Sequence, residues 1–367
     1  MKPLFFALLF LTLASAHRVV FAVQLQFGDI VAPQSDNFGT VIVVHPSTGD
    51  REILSLYPNI GAGPAMSRPT SILTLPDGNF LVSDTFAHNA LTQINAATGN
   101  RTDVSSASIG TGPWGDVQTV LLTSAGDTIM VADGFVARVN LATGNRTLIS
   151  GLGAGSGPTY AFSGAGGAVL YRSGRLAIGT YDSPLDNDQP AVYDVDLTTG
   201  ARSILSGAGH GSGPPLSHIM DLAILPDGAL VASGRDLDVN PNVTELIRID
   251  PFNGNRTIIA TQPFAQSEYE RLTLAPNGFL LGSDPFTADA IYSINPTTGA
   301  RTLISGNARG NGPSLFWGDM VVVPEPSAVT LFVTALAAWT FIAFRTYQRT
   351  FRGAASRPAL PRRRLGV

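Results

Sequence analysis

Residues 294–305 read Ile294-Asn295-Pro296-Thr297-Thr298-Gly299-Ala300-Arg301-Thr302-Leu303-Ile304-Ser305, and the chain carries this stretch in recognisable form six times. The other copies centre on Thr48-Gly49-Asp50-Arg51, Thr98-Gly99-Asn100-Arg101, Thr143-Gly144-Asn145-Arg146, Thr199-Gly200-Ala201-Arg202 and Asn253-Gly254-Asn255-Arg256. Apolar and polar residues alternate before the glycine, and the Arg-Thr-Leu-Ile-Ser that follows is rich in β-branched residues, so both flanks suit pleated strands. Between them Pro296 presets φ and Gly299 is free to take φ > 0, which makes the stretch a hairpin. Successive glycines lie 50, 45, 56, 54 and 45 residues apart, a period that fits a four-stranded propeller blade and exceeds most helical repeats.

A second repeat supplies the other half of each blade. Pro76-Asp77-Gly78, Pro226-Asp227-Gly228 and Pro276-Asn277-Gly278 each join a short apolar strand to a second one, such as Phe80-Leu81-Val82-Ser83-Asp84. The first copy, Phe27-Gly28-Asp29-Ile30-Val31-Ala32, lacks the leading strand, and Trp317-Gly318-Asp319-Met320-Val321-Val322-Val323 at the other end lacks the second. Pairing these two segments removes the exposed sheet edges and closes a ring. The expectation is an all-β, six-bladed propeller over residues 23–323.

Glycine loops follow five of the six hairpins: Gly61-Ala62-Gly63-Pro64, Gly110-Thr111-Gly112-Pro113, Gly155-Ser156-Gly157-Pro158, Gly211-Ser212-Gly213-Pro214 and Gly310-Asn311-Gly312-Pro313. A phosphate cradle would need a helix N-terminus after the loop, whereas a strand follows here, so these are blade-to-blade crossovers. The fifth hairpin, in chain order, departs from the pattern with Thr261-Gln262-Pro263-Phe264.

The chain has no cysteine, which excludes disulfides, thiolate metal sites and a cysteine nucleophile. Between residues 23 and 326 there are 27 acidic residues against 14 arginines, a surplus of 13 negative charges, while seven arginines and no acid follow residue 344. A body so acidic does not bind nucleic acid, which needs basic surface.

Both ends read as targeting segments. Residues 1–22 have Lys2, the apolar run from Leu4 to Leu13, and small-residue cleavage sites ending at Ala16 or Ala22, the pattern of an export signal. Residues 324–367 start with Pro324-Glu325-Pro326, continue in an apolar stretch over 327–344 at the short end for a membrane helix, and finish in an arginine-rich tail that places this end in the cytoplasm. A permanent single-span anchor is one reading. The combination also resembles a PEP-CTERM sorting signal, and that resemblance implies recognition by an exosortase-like sorting protease, removal of the tail, and delivery to the surface or extracellular matrix of an exopolysaccharide-producing bacterium. The membrane helix is then a transient anchor.

The Pro-Asp-Gly turn, the strand ending in Ser83-Asp84 or Ser283-Asp284, and the Asp250-Pro251-Phe252-Asn253-Gly254 hairpin resemble six-bladed propellers of the NHL and gluconolactonase-like group over roughly residues 24–323. Aligning the blades puts Asp116, Asp221, Arg271 and Asp319 at strand starts, and Asp84, Asp133 and Asp284 at strand ends, all on one face. Asp116, Asp221 and Asp319 are candidate ligands for a hard cation, Ca²⁺ in the first place, because oxygen donors from several blades converge near the axis. The lactonase resemblance implies a metal there that polarises an ester carbonyl. Alternatively each aspartate caps its own strand or loop through backbone N–H groups.

Residues that break the repeat are candidates for ligand contact. His218 with Asp221, and Glu268 and Glu270 with Arg271, replace small residues at blade entries, and Trp114 and Trp317 each precede Gly-Asp there. The two indoles would either stack on sugar rings or pack between blades. No Ser-His-Asp order, metal-binding His pair or cofactor fingerprint marks a catalytic residue. The expected function is an exported binding or structural module of the cell surface or matrix, with extracellular polysaccharide as its partner; the rival is a Ca²⁺-dependent lactonase-type hydrolase using the acidic face.

Overall fold

In a computed structural model, the described residues are 23–34, 39–158, 165–180, 190–216, 218–235, 243–263, 271–284, 289–315 and 318–325. The export segment, the helix expected over 327–344 and the basic tail lie outside them. Among the described residues, no helix is long and apolar enough to cross a membrane.

The strands form six four-stranded antiparallel sheets. We number the blades by their residues: blade I, 69–106; blade II, 117–151; blade III, 165–206; blade IV, 219–263; blade V, 271–305. The closing blade combines Ile30–Pro33, Val41–Val44 and Arg51–Ser55 with the C-terminal Val321–Val322. Its register pairs Ile30 with Val322 and Val31 with Val321, and Gly28 N and Val323 N donate to Val323 O and Asp29 O across the same junction. The ring thus closes with strands from both ends of the chain, as expected.

In blades I to V the first strand lies at the axis, and in the closing blade Val321–Val322 takes that place. Between blades, buried apolar clusters such as Leu81, Leu91, Val120 and Met130 fill the space where two sheets pack, and this alternation of buried faces holds the ring together.

The hairpin repeat does more than turn the chain. Among the described residues its arginine reaches into the preceding blade at five interfaces. Arg146 Nε donates to Pro113 O at 2.8 Å and its Nη1 to Ser105 Oγ at 2.7 Å, while Ser105 Oγ donates to Gly144 O at 2.8 Å. Arg101 repeats this with Pro64 O and Ser55, Arg202 with Pro158 O and Ser150, Arg256 with Pro214 O and Ser206, and Arg51 with Pro313 O and Ser305. The backbone N–H of each of these arginines also donates at 2.7 Å to the residue between the two loop glycines, for instance Arg146 N to Thr111 O. The glycine loops lie flush on the next hairpin, so a Cβ at Gly61 would sit 2.0 Å from Gly99 O. Only glycine permits that approach, at a φ of 75°.

Blade V is seated differently. Ala260 stands where the other blades end their outer strand in serine, no Gly-x-Gly-Pro follows, and the Arg301 guanidinium stacks on Tyr292, 5.0 Å from the ring centroid.

Candidate functional site

Counting back from the turn glycines along the register places one residue of each innermost strand at the same level around the axis. Ile72, Val120, Ala168, Leu222 and Leu272 pair with Val82, Met130, Ile178, Ala232 and Gly282. The residues just before them, with Asp319 before Met320 in the closing blade, form the ring Ser71, Thr119, Gly167, Asp221, Arg271 and Asp319. A bulge at the start of the inner strand in blades I, II and IV aims this residue.

The ring is tied from blade to blade by side chain and backbone. Asp221 Oδ2 accepts from Leu272 N at 2.7 Å and Oδ1 from Leu222 N at 2.8 Å. Asp319 Oδ2 accepts from Ser71 Oγ at 2.9 Å and its Oδ1 from Met320 N at 2.7 Å. Ser71 Oγ in turn accepts from Val120 N at 3.2 Å. Gly167 leaves room for Asp221, since a Cβ there would fall 1.7 Å from Asp221 Oδ1.

Behind the ring runs a channel of about 270 Å³, polar at Thr119, Asp221, Arg271 and Asp319 and apolar beyond, at residues such as Leu122, Ile224 and Leu274. Burial pushes the Asp221 carboxyl up to about 7. The Arg271 charge and two backbone donors oppose that rise, while the charge of Asp319 adds to it. Asp319 is raised for the same first reason, burial, and Arg271 again opposes. The two acids and the arginine therefore act as one coupled group.

Asp116 does not join them. The sequence alignment makes it the strand start of blade II, but the extra residues there move Thr119 into the ring position. Asp116 instead accepts from Asn89 Nδ2 at 3.1 Å, and its O accepts from Asp133 N at 3.3 Å. Asp133 also falls outside the pattern: Ala132 occupies the position of Asp84, and Asp133 stands one residue past it. Burial, with the Asp116 charge second, raises the Asp133 carboxyl. Among the described residues, no three His, Cys, Asp or Glu side chains group closely enough to hold a metal ion. A calcium ion needs six to eight oxygen donors; Asp221 and Asp319 spend theirs on backbone and hydroxyl donors, and the charge beside them is that of Arg271. The donor set does not fit a calcium site.

The remaining candidates are distributed. Asp84 is buried and accepts from Ser67 N at 2.6 Å and Arg68 N at 2.9 Å, a loop cap. Asp284 is also buried. Trp114 is half-buried, donates from Nε1 to Asn89 Oδ1 at 3.1 Å, and lies under the Arg146 guanidinium at 4.9 Å, so its indole is engaged between blades. His218 is half-buried at a left-handed φ of 32°. Pro324 and Glu325 follow the last strand without regular structure. Trp317, Glu268, Glu270 and Pro326 lie outside the described residues.

Sequence reasoning missed Ser71, Thr119 and Gly167; counting from the turn glycine rather than from aspartates would have found them. It also missed the arginine and serine clamp, although each clamped arginine and the serine it reaches recur together in the repeat.

No protein-family model matches the chain, and a search of curated proteins finds no relative. Among solved structures, a gluconolactonase from Xanthomonas campestris superimposes with a TM-score of 0.51 at 13% identity, over 83% of this chain and 93% of that one. A protein of unknown function from Bacteroides thetaiotaomicron gives 0.53 at 11% identity, over 80% and 73%. At such identities the likeness concerns the fold: the chain is a six-bladed β-propeller with a gluconolactonase among its structural neighbours.

Proposed function

We propose that this chain is an exported propeller of the cell surface or extracellular matrix that works as a binding module. The observation that carries this reading is the axial Asp221, Arg271 and Asp319 group. In a metal-dependent hydrolase that place must present open oxygen donors to a cation and leave room for substrate. Here the donors are turned inward to hold neighbouring blades, and an arginine supplies the positive charge. Export and sorting rest on the terminal segments: the apolar N-terminus, and the Pro324-Glu325-Pro326 motif ahead of an apolar run and a basic tail, with an exosortase-like protease as the processing partner.

The lactonase reading has one point in its favour, the gluconolactonase among the structural neighbours, and that point concerns fold alone. The two readings separate in solution. Titrating Ca²⁺ to millimolar concentration should leave the melting temperature unchanged, because a ligand stabilises only the state that binds it. A rise of several degrees, abolished in Asp319→Asn, would overturn the binding-module reading in favour of the hydrolase. A glycan array probed with the full chain tests the binding arm directly; an unresponsive array removes polysaccharide as the partner.

A further inference from the structure

A repeat protein carries its own baseline: positions that serve the fold recur in each blade, and departures from the repeat that converge in space need another reason. Two departures, three residues in all, meet on the hairpin side, between blades III and IV. Phe252 sits at the tip of its hairpin where the other five hold Ser47, Ala97, Ala142, Thr198 and Thr297, and its ring is 84% exposed. Tyr171-Arg172 replaces Leu75-Pro76, Leu225-Pro226 and Ala275-Pro276 ahead of the turn glycine. Together with Asp194 and His210 they line a groove of about 310 Å³.

The chemistry of the groove is specific. The Arg172 guanidinium lies 4.1 Å from the Phe252 ring centroid and 5.3 Å from that of Tyr171, and it donates to Pro251 O. Among the described residues its charge meets a carbonyl and two ring faces and no carboxylate. Asp194 and Asp196 are both engaged by Arg175. The Tyr171 hydroxyl is buried and makes no hydrogen bond of ordinary geometry. Burial and the neighbouring Asp194 carboxylate push the phenol above its usual range, so it stays protonated as a donor.

We propose that this groove binds an acidic polysaccharide, with the pyranose ring of a uronic-acid unit against Phe252 and its carboxylate on Arg172. An exposed aromatic ring offers a flat apolar face to sugar C–H groups, and a guanidinium presents paired donors to a carboxylate. His210, exposed at the groove edge, adds a hydrogen-bonding group for ring hydroxyls. The acidic surplus of the body is screened beyond about 8 Å at physiological salt, whereas the Arg172 contact acts at hydrogen-bond distance. The proposal deepens the binding-module reading and rests on it.

The test is binding of the full chain to oligogalacturonate, with a maltooligosaccharide of equal length as the neutral probe. The expected result is binding of the acidic oligomer and at least about tenfold weaker binding of the neutral one. Phe252→Ala and Arg172→Met should each weaken acidic binding about tenfold or more, Phe252→Tyr should retain it, and the melting temperature of Phe252→Ala should not move because the ring is exposed. Acidic binding that is unchanged in both variants overturns the groove and leaves the module standing. Equal binding of the two oligomers overturns the acidic class. Binding of neither overturns the proposal together with its polysaccharide premise.

Discussion

The rim and the axis of this propeller obey opposite rules. At the rim, five arginines in equivalent hairpins make nearly the same set of bonds to a serine and a proline carbonyl of the preceding blade. At the axis, six equivalent positions hold Ser71, Thr119, Gly167, Asp221, Arg271 and Asp319, no two neighbours alike. Interfaces between blades are geometrically the same, so one solution can be reused; the axis is a single place where six side chains meet, and six copies of one charged residue there would repel. Sameness marks the work of holding the ring, and difference marks where residues compensate one another.

The largest expected effect breaks the rim. Arg146→Met removes the guanidinium donors to Pro113 O, Ser105 Oγ, Ser106 O and Ile109 O, leaving buried acceptors without partners. A loss of about 3–5 kcal/mol in urea unfolding is expected. Ser105→Ala, which takes away one acceptor and the donor to Gly144 O, should cost about 1–2 kcal/mol. If both variants were neutral, the clamp would be decoration and the apolar clusters alone would hold adjacent blades.

A pair of glycines sharpens the comparison at smaller scale. Gly61→Ala would drive a Cβ to 2.0 Å from Gly99 O, whereas at Gly78 a Cβ meets nothing within 4 Å, although both have a left-handed φ. The first should cost about 2–4 kcal/mol, from strain and from parting two blades, and the second about 1 kcal/mol from backbone conformation alone. Equal losses would mean that flush packing between loop and hairpin is not needed.

The last expected effect, a pH dependence, probes the axis. The folded-state pKa of Asp221 is raised, to about 7, so the folded chain binds a proton more tightly than the unfolded one. The stability it contributes is then fully present at acid pH near the ordinary carboxylate range and is lost as pH rises through about 7. Asp221→Asn should flatten the fall in unfolding free energy between pH 5 and 8, read by urea unfolding, by on the order of 2 kcal/mol, since the interaction with Asp319 and Arg271 shares the shift. An unchanged pH profile would show that the carboxyl is ionised throughout, paired to Arg271.

Much of the ring is legible in the sequence. Blade number and the pairing of the Gly28–Ala32 segment with the Met320–Val323 run followed from the spacing of Thr-Gly-x-Arg and from the missing half-blade at each end. Of the residues that the sequence aligns at the axis, Asp221, Arg271 and Asp319 stand together, while Asp116 lies elsewhere because blade II carries extra residues between its inner-strand start and Gly126. Aspartate identity was the wrong ruler there. The register of a β-ladder is set by the turn that joins its strands, so distance from the turn glycine is the right one. The groove beside Phe252 was invisible for a related reason: Tyr171 and Phe252 are 81 positions apart and only the abutting of blades III and IV makes them neighbours.

By itself the sequence determined what repeats, because strand alternation, turn chemistry and glycine spacing are local properties that each copy states again. Only the tertiary structure decided what the copies do to one another: that the hairpin arginine belongs to the neighbouring blade, and that Arg271 stands beside the carboxylates of Asp221 and Asp319. Those outcomes depend on distances across the ring between residues far apart in the chain, and closing the ring is the physical event that sets them.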